Sequence, residues 1–200
     1  MNQTLTQINA TLSNNALEEL FNGIVDVKKQ LNNLTDIIME YMVVPKAYGS
    51  GGAIYISGDG DVIRDSHISQ TSAYYGGAVY ISGNDAAIEN SDFKDINATE
   101  DGGALYISGD GGRLYNSNFT HNLAGDDGGA IYWSGDHGTI ENVVCDDNHG
   151  ISFNESSSRG GAICLTGNDV KISKSKFTYN NITYSDGSNL SKIDGGALFI

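Results

Sequence analysis

Apolar residues in this chain come in short runs closed off by Gly, Asn, Asp or Ser, as in Ala53-Ile54-Tyr55-Ile56 and Ala104-Leu105-Tyr106-Ile107. The runs are rich in β-branched and aromatic residues and are too short for a helix face, so the pattern predicts strands. The runs also recur in register. Gly-Gly-Ala followed by an aliphatic residue stands at Gly51, Gly76, Gly102, Gly128, Gly160 and Gly195. Counted from the first glycine, an aliphatic residue lies 12 positions on (Ile63, Ile88, Leu114, Ile140, Ile172). An apolar residue lies 17 on (Ile68, Phe93, Phe119, Cys145, Phe177), and Gly lies 7 on (Gly58, Gly83, Gly109, Gly135, Gly167). Position 20 holds Asn122, Asn148 and Asn180, with Thr71 and Ile96 departing.

The units start 25, 26, 26, 32 and 35 residues apart, and all the length variation falls after position 20. A fixed core followed by one elastic segment is what stacked coils require. Each coil must set its side chains above those of its neighbour, and a slip would turn apolar groups outward. The expected fold is therefore all-β: a right-handed parallel β-helix of about five coils of about 26 residues, with three strands per coil. A propeller blade would need roughly 40 residues or more.

Alternation assigns faces. Ile54, Ile56, Ile63, Ser66 and Ile68 should point inward in the first coil, and Val79, Ile81, Ile88, Ser91 and Phe93 in the second. Tyr55, Tyr80, Tyr106 and Tyr132 should form an outward stripe, continued by Cys164 and Phe199. The Asn at position 20 should stack into a ladder that satisfies turn backbone groups. The elastic segments 149–159 and 181–194 are expected as loops.

Residues 1–47 read differently from residues 48–200. Leu17, Leu20, Ile24, Val27, Leu31, Leu34, Ile38 and Tyr41 alternate spacings of three and four, a heptad pattern that Pro45 ends. This predicts an N-terminal α-helix. It would either cap the open end of the solenoid or join a homo-oligomeric coiled coil through residues 17–41.

Charge narrows the partners. The net charge is −14, and residues 48–200 hold 20 acids and 8 bases. Nucleic acid is excluded, since phosphate binding needs clustered cations; so is an anionic membrane surface. No apolar stretch is long enough to span a membrane, and no leader is visible. Gly195 to Ile200 opens a further unit, so the expected context is a longer chain. Cys145 falls at an inward position and Cys164 at an outward one, so the two are not expected to pair.

The pairing of Gly-Gly-Ala-(Ile/Leu/Val) with Phe119-Thr120-His121-Asn122 and Phe177-Thr178-Tyr179-Asn180 resembles the polymorphic-membrane-protein repeat of chlamydial autotransporters. Cys145-Asp146-Asp147-Asn148 is a near match, and Ile68-Ser69-Gln70-Thr71 and Phe93-Lys94-Asp95-Ile96 are degenerate. The repeat is also similar to that of adhesin-like surface proteins of methanogenic archaea. The resemblance covers residues 51–200. It implies an extracellular, surface-displayed adhesive β-helix that binds a glycan or protein on another cell.

Three groups carry candidate chemistry. The stripe Tyr55, Tyr80, Tyr106 and Tyr132 could offer aromatic planes to sugar rings, or simply stack to support the sheet. The row Asp59, Asn84, Asp110, Asp136 and Asn168 could hold Ca²⁺ through its carboxylates, or serve as turn residues. Asp146, Asp147 and His149 beside Asp126 and Asp127 have the residue types of a glycoside-cleaving site. No other coil repeats that set, so an enzyme is not expected. Among the Asn-x-Ser/Thr sequons, Asn97, Asn154, Asn181 and Asn189 fall in the elastic segments and are candidate glycosylation sites. The alternatives to an adhesin module are a trimeric viral tail-fibre or spike segment, a polysaccharide lyase or hydrolase, and a plain spacer.

Overall fold

A computed structural model describes residues 49–152, 158–184 and 193–200 of the chain. The expected N-terminal helix, with its heptad residues 17–41, lies outside the described residues. The described residues contain strands, turns and bends but no helix, and so no helix long and apolar enough to cross a membrane.

The strands are parallel and sort into stacked sheets. The first sheet holds Ile54–Ile56, Val79–Ile81, Leu105–Ile107, Ile131–Trp133, Ile163–Leu165 and Leu198–Phe199. The second runs through Val62–Arg64, Ala87–Glu89, Arg113–Tyr115, Thr139–Glu141 and Lys171–Ser173. The third runs through His67–Ser69, Asp92–Lys94, Asn118–Thr120, Val144–Asp146 and Lys176–Thr178. Residues equivalent in the repeat are register partners, as in Ile54 with Val79 and Phe93 with Phe119. Four full turns separate the first and last strands of each five-stranded sheet.

The expectation of three strands per coil needs correction. A fourth sheet joins Ser72–Ala73, Asn97–Ala98, Leu123–Ala124, His149–Ser152 and Asn181–Tyr184. Its inward positions are Ala73, Ala98 and Ala124, all buried. Alanine favours strands poorly, and two-residue strands carry no alternation, so pattern alone did not find it. The segments expected as loops are affected too. The stretch 149–159 begins and ends in strand, at His149–Ser152 and Ser158–Arg159. The stretch 181–194 does the same, at Asn181–Tyr184 and Ile193–Asp194.

The inward assignments of the second coil hold without exception: Val79, Ile81, Ile88, Ser91 and Phe93 are buried. In the first coil Ile56 and Ile63 are buried, and Ile54 and Ile68 are partly buried against the core. Phe93 and Phe119 stack inside with centroids 4.7 Å apart and planes 4° from parallel.

Trp133 is the largest buried side chain, at a position where other coils carry Ile or Leu. Two glycines make room. A Cβ on Gly138 would stand 2.6 Å from the indole, and one on Gly112 2.9 Å.

Polar columns also run up the stack. The position-20 ladder is the innermost, with Asn122 and Asn148 fully buried. Asn148 Nδ2 donates to Phe119 O (3.0 Å) and to Asn180 Oδ1 (2.9 Å). Its own Oδ1 accepts both the backbone N–H and the Nδ2 of Asn122, at 3.0 and 2.9 Å. Where Ile96 breaks this column, the hydroxyl of Thr71 on the preceding coil is buried without a partner. Buried serines make the second column: Ser91 Oγ accepts Ser66 N and Ser117 Oγ accepts Ser91 N, each at 3.2 Å. The third lies outside, where Asn142, Asn116, Asn90 and Asp65 pass amide hydrogen bonds down a turn of positive φ. Asn and Asp are the residues that tolerate this conformation best after glycine.

Candidate functional site

The tyrosine stripe is present as a continuous outward column. Centroids are 5.2 Å apart for Tyr55–Tyr80, 4.8 Å for Tyr80–Tyr106 and 4.8 Å for Tyr106–Tyr132, with planes 5°, 10° and 25° from parallel. The rings therefore cover one another's faces. A ligand lying along the column meets edges and hydroxyls of Tyr80 and Tyr106, not their planes. Tyr132 Oη is 3.3 Å from Thr166 Oγ1. Burial pushes the Tyr106 phenol up to about 12, so its hydroxyl is a neutral donor at physiological pH. Tyr106→Ala removes two stacked contacts and is expected to lower stability by about 1–3 kcal/mol. Thermal unfolding measures this, and an unchanged midpoint would show the stacks to be idle.

The next members of this column behave differently. Cys164 was expected to face outward in the open, and it does lie opposite Tyr132 in the register. It is nonetheless fully buried. Burial pushes its thiol up to about 12, so it is a poor nucleophile. Cys145 points inward, and both cysteines are free.

The Asp/Asn row is a structural ladder. Asp59 Oδ1 accepts Asn84 N (2.7 Å), Asn84 Oδ1 accepts Asp110 N (3.0 Å) and Asp110 Oδ1 accepts Asp136 N (2.8 Å). Asp136 Oδ1 accepts both N and Nδ2 of Asn168, which hold its carboxyl below the usual range. A cation at Asp59, Asp110 or Asp136 would have to compete with the next coil for these oxygens. Among the described residues no group of three or more His, Cys, Asp or Glu is placed to hold a metal. The calcium expectation finds no support in this geometry.

The residue just before each Gly-Gly builds a further column, whose middle members are Tyr75, Asp101, Asp127 and Arg159. Arg159 reaches Asp127 Oδ2 through Nε (3.0 Å) and Nη2 (2.5 Å), and its guanidinium lies 4.9 Å from the Phe199 ring centroid. Asp101 Oδ1 accepts Asp127 N at 3.2 Å. Burial pushes the Asp101 carboxyl up to about 7, and the neighbouring carboxylates Asp127, Asp126 and Glu100 add to the rise. Burial likewise raises Asp126, which accepts a hydrogen bond from Ser158 Oγ. Tyr75 packs edge-on against both Tyr74 (4.9 Å) and Tyr106 (5.4 Å).

The sign of the Asp101 effect follows from its raised value. The folded chain binds this proton more tightly than the unfolded one. The protein is therefore most stable with respect to this group below the unfolded value of about 4, and it loses stability as the pH climbs toward 7. Asp101→Asn keeps an oxygen for Asp127 N and removes the charge. It is expected to exceed the parent by about 1–2 kcal/mol at pH 8, discounted for the water that reaches this carboxylate, and to match it within about half a kcal/mol at pH 4. Urea midpoints at the two pH values decide; an equal gap at both would mean Asp101 ionises without penalty.

The acids and histidines singled out as a cleavage set are tied to neighbours. Asp147 lies between His121 Nε2 (3.1 Å) and His149 Nε2 (3.0 Å), and Asp146 Oδ1 accepts Thr178 Oγ1 at 2.5 Å. His67 faces Asp92 at 3.9 Å and His137 faces Asp169 at 3.7 Å, so each histidine has an acid within reach. Asn97 and Asn181, expected in loops, sit in strands of the fourth sheet with exposed side chains. Asn154 and Asn189 lie outside the described residues. The column Tyr75–Asp101–Asp127–Arg159 was missed because offsets counted forward lose register in the elastic segment. Counting backward from the next Gly-Gly recovers it.

Residues 116–132 match the family model of the Chlamydia polymorphic membrane protein repeat. The matched stretch runs from the outer Asn turn, through Phe119 and the buried Asn122, to Tyr132 in the next coil. No curated protein and no solved structure matches the chain. The described residues thus form a parallel β-solenoid, one stretch of which matches the polymorphic-membrane-protein repeat.

Proposed function

We propose that this chain is a surface-displayed, non-enzymatic adhesin module that holds a glycan or protein of another cell against its long faces. The observation that carries this reading is the repeat match at residues 116–132 within a stack of parallel coils. Adhesive display is what the resemblance implies, and a stack locked by internal ladders suits a stiff presenting rod. The strongly acidic surface favours a neutral or basic partner over nucleic acid or an anionic membrane.

The non-enzymatic part rests on the engaged carboxylates. A glycosidase needs two carboxyl groups flanking the bond to be cleaved. Here Asp127 is held by Arg159, Asp101 by a backbone amide, and Asp147 by two histidines.

The test is saturable binding of the labelled chain to a glycan array and to whole cells, with polysaccharide turnover followed in parallel. Binding without turnover supports the module. Absence of binding on both surfaces, or release of reducing ends, overturns it.

A further inference from the structure

We propose that an open surface depression of about 270 Å³ between the fourth and fifth coils, lined by His137, Gly138, Thr139, Asp169 and Lys171, binds one neutral pyranose ring. This deepens the adhesive reading and rests on it, since it names a ligand class and a place for it.

The depression arises from the repeat. His137 and Asp169 occupy the same turn position on adjacent coils, both at positive φ, which projects their side chains from the corner. Thr139 and Lys171 are register partners on the second sheet. Between them the wall is bare backbone at Gly138. No larger residue fits there, because a Cβ would stand 2.6 Å from the buried indole of Trp133. Gly138 thus makes room for Trp133 on the inside, and the depression outside is framed by the side chains of His137, Thr139, Asp169 and Lys171. Lys171 N already donates to Gly138 O at 2.9 Å, which ties the two coils across the floor.

Size and chemistry select the ligand. A volume of 270 Å³ falls just below the usual range of drug-sized ligand sites, which start at roughly 300 Å³, so it suits a single ring better than an extended chain. Asp169 accepts hydrogen bonds, the Lys171 ammonium donates them, and the Thr139 hydroxyl and His137 ring do either. Adjacent hydroxyls of a pyranose, each both donor and acceptor, match that mixture.

Charge argues for a neutral sugar. Asp169 and the nearby Asp136 outweigh Lys171, and the whole chain carries −14, so an anionic sugar meets net repulsion. A cationic one meets the Lys171 ammonium at the rim. Lys171 makes no ion pair among the described residues, whereas Lys174 is bound to Glu141 at 2.5 Å. It is therefore available to a ligand hydroxyl.

The test is titration of the full chain with methyl α-D-hexopyranosides, with D-glucuronate and glucosamine alongside, followed by backbone amide NMR shifts. At least one neutral hexoside should bind at roughly millimolar Kd, moving the amides of Gly138, Thr139 and Lys171. Asp169→Asn, chosen because Asn tolerates positive φ, and Lys171→Gln should each weaken binding about tenfold. Lys176→Gln, on the neighbouring sheet, should leave it unchanged. Preference for glucuronate or glucosamine, shifts centred elsewhere, or no saturation by any hexoside overturns the proposal. Array or cell binding that survives Asp169→Asn and Lys171→Gln also removes this site while the adhesive reading stands. Hexoside binding without any cell or array binding removes the adhesive reading and leaves the site.

Discussion

Asn148→Leu is expected to destabilise the protein by about 3–6 kcal/mol, the largest effect of any side-chain change in the core. Asn148 is fully buried and makes four hydrogen bonds, two through Nδ2 and two through Oδ1. Leucine has the same branching but bulkier ends, so the loss combines the polar term with some overpacking. It strands the N–H of Asn122 and the carbonyl of Phe119 inside the solenoid and leaves Asn122 Nδ2 with only its bond to Phe93 O. Each orphaned buried group costs about 1–3 kcal/mol. Asn118→Ala is the comparator. Asn118 is exposed and gives one bond of 2.7 Å to Asp92, so its loss should stay below about 1 kcal/mol. Urea denaturation of the two variants, compared at constant slope, separates them. Equal losses would mean that the ladder follows from the coil stack and adds little to it.

Gly103→Ala should cost about 3 kcal/mol or more, and it is the smallest substitution expected to do so. Gly103 has ordinary φ; what it needs is room. A methyl there would press on the carbonyl oxygen of Gly129 in the next coil and stand 2.8 Å from that of Leu123. Both obstacles are backbone, and Gly103 N is itself bonded to Gly128 O at 3.0 Å, so the coil cannot yield without breaking its rung. Overpacking of this kind typically costs about 1–3 kcal/mol even where side chains can move. Gly60→Ala tests the alternative cause. Gly60 has φ of 72° but open space around its Cβ position, so it should lose only about 1–2 kcal/mol of backbone strain. At about 2–4 °C per kcal/mol for a chain of this size, the two melting points should differ by several degrees. A Gly103 variant no worse than the Gly60 variant would show that coil spacing is softer than the geometry implies.

Both predictions concern positions already visible as repeat columns, and that marks the reach of pattern reading here. Strand-rich coils, their parallel stacking, the inward Ile/Phe column and the buried Asn ladder follow from spacing. A solenoid sets equivalent residues directly above one another, so period in the chain becomes adjacency in space. The column Phe93, Phe119, Cys145 was readable for that reason. So was the tyrosine stripe, although stacking at 4.8–5.2 Å turns its faces toward each other and only its edges outward.

What could not be read depended on contacts between positions that are not equivalent in the repeat. The fourth sheet rests on alanines too small to show a pattern. Cys164 shares an outward register position with Tyr132, yet it is buried. The proton affinity of Asp101 depends on burial and on neighbouring acids that backward counting alone aligns. Trp133 stands where other coils carry Ile or Leu, and only the packing shows that Gly112 and Gly138 make room for it. Period predicts what repeats; the sites that could carry function are where single coils depart from it, and only packing in three dimensions shows what each departure meets.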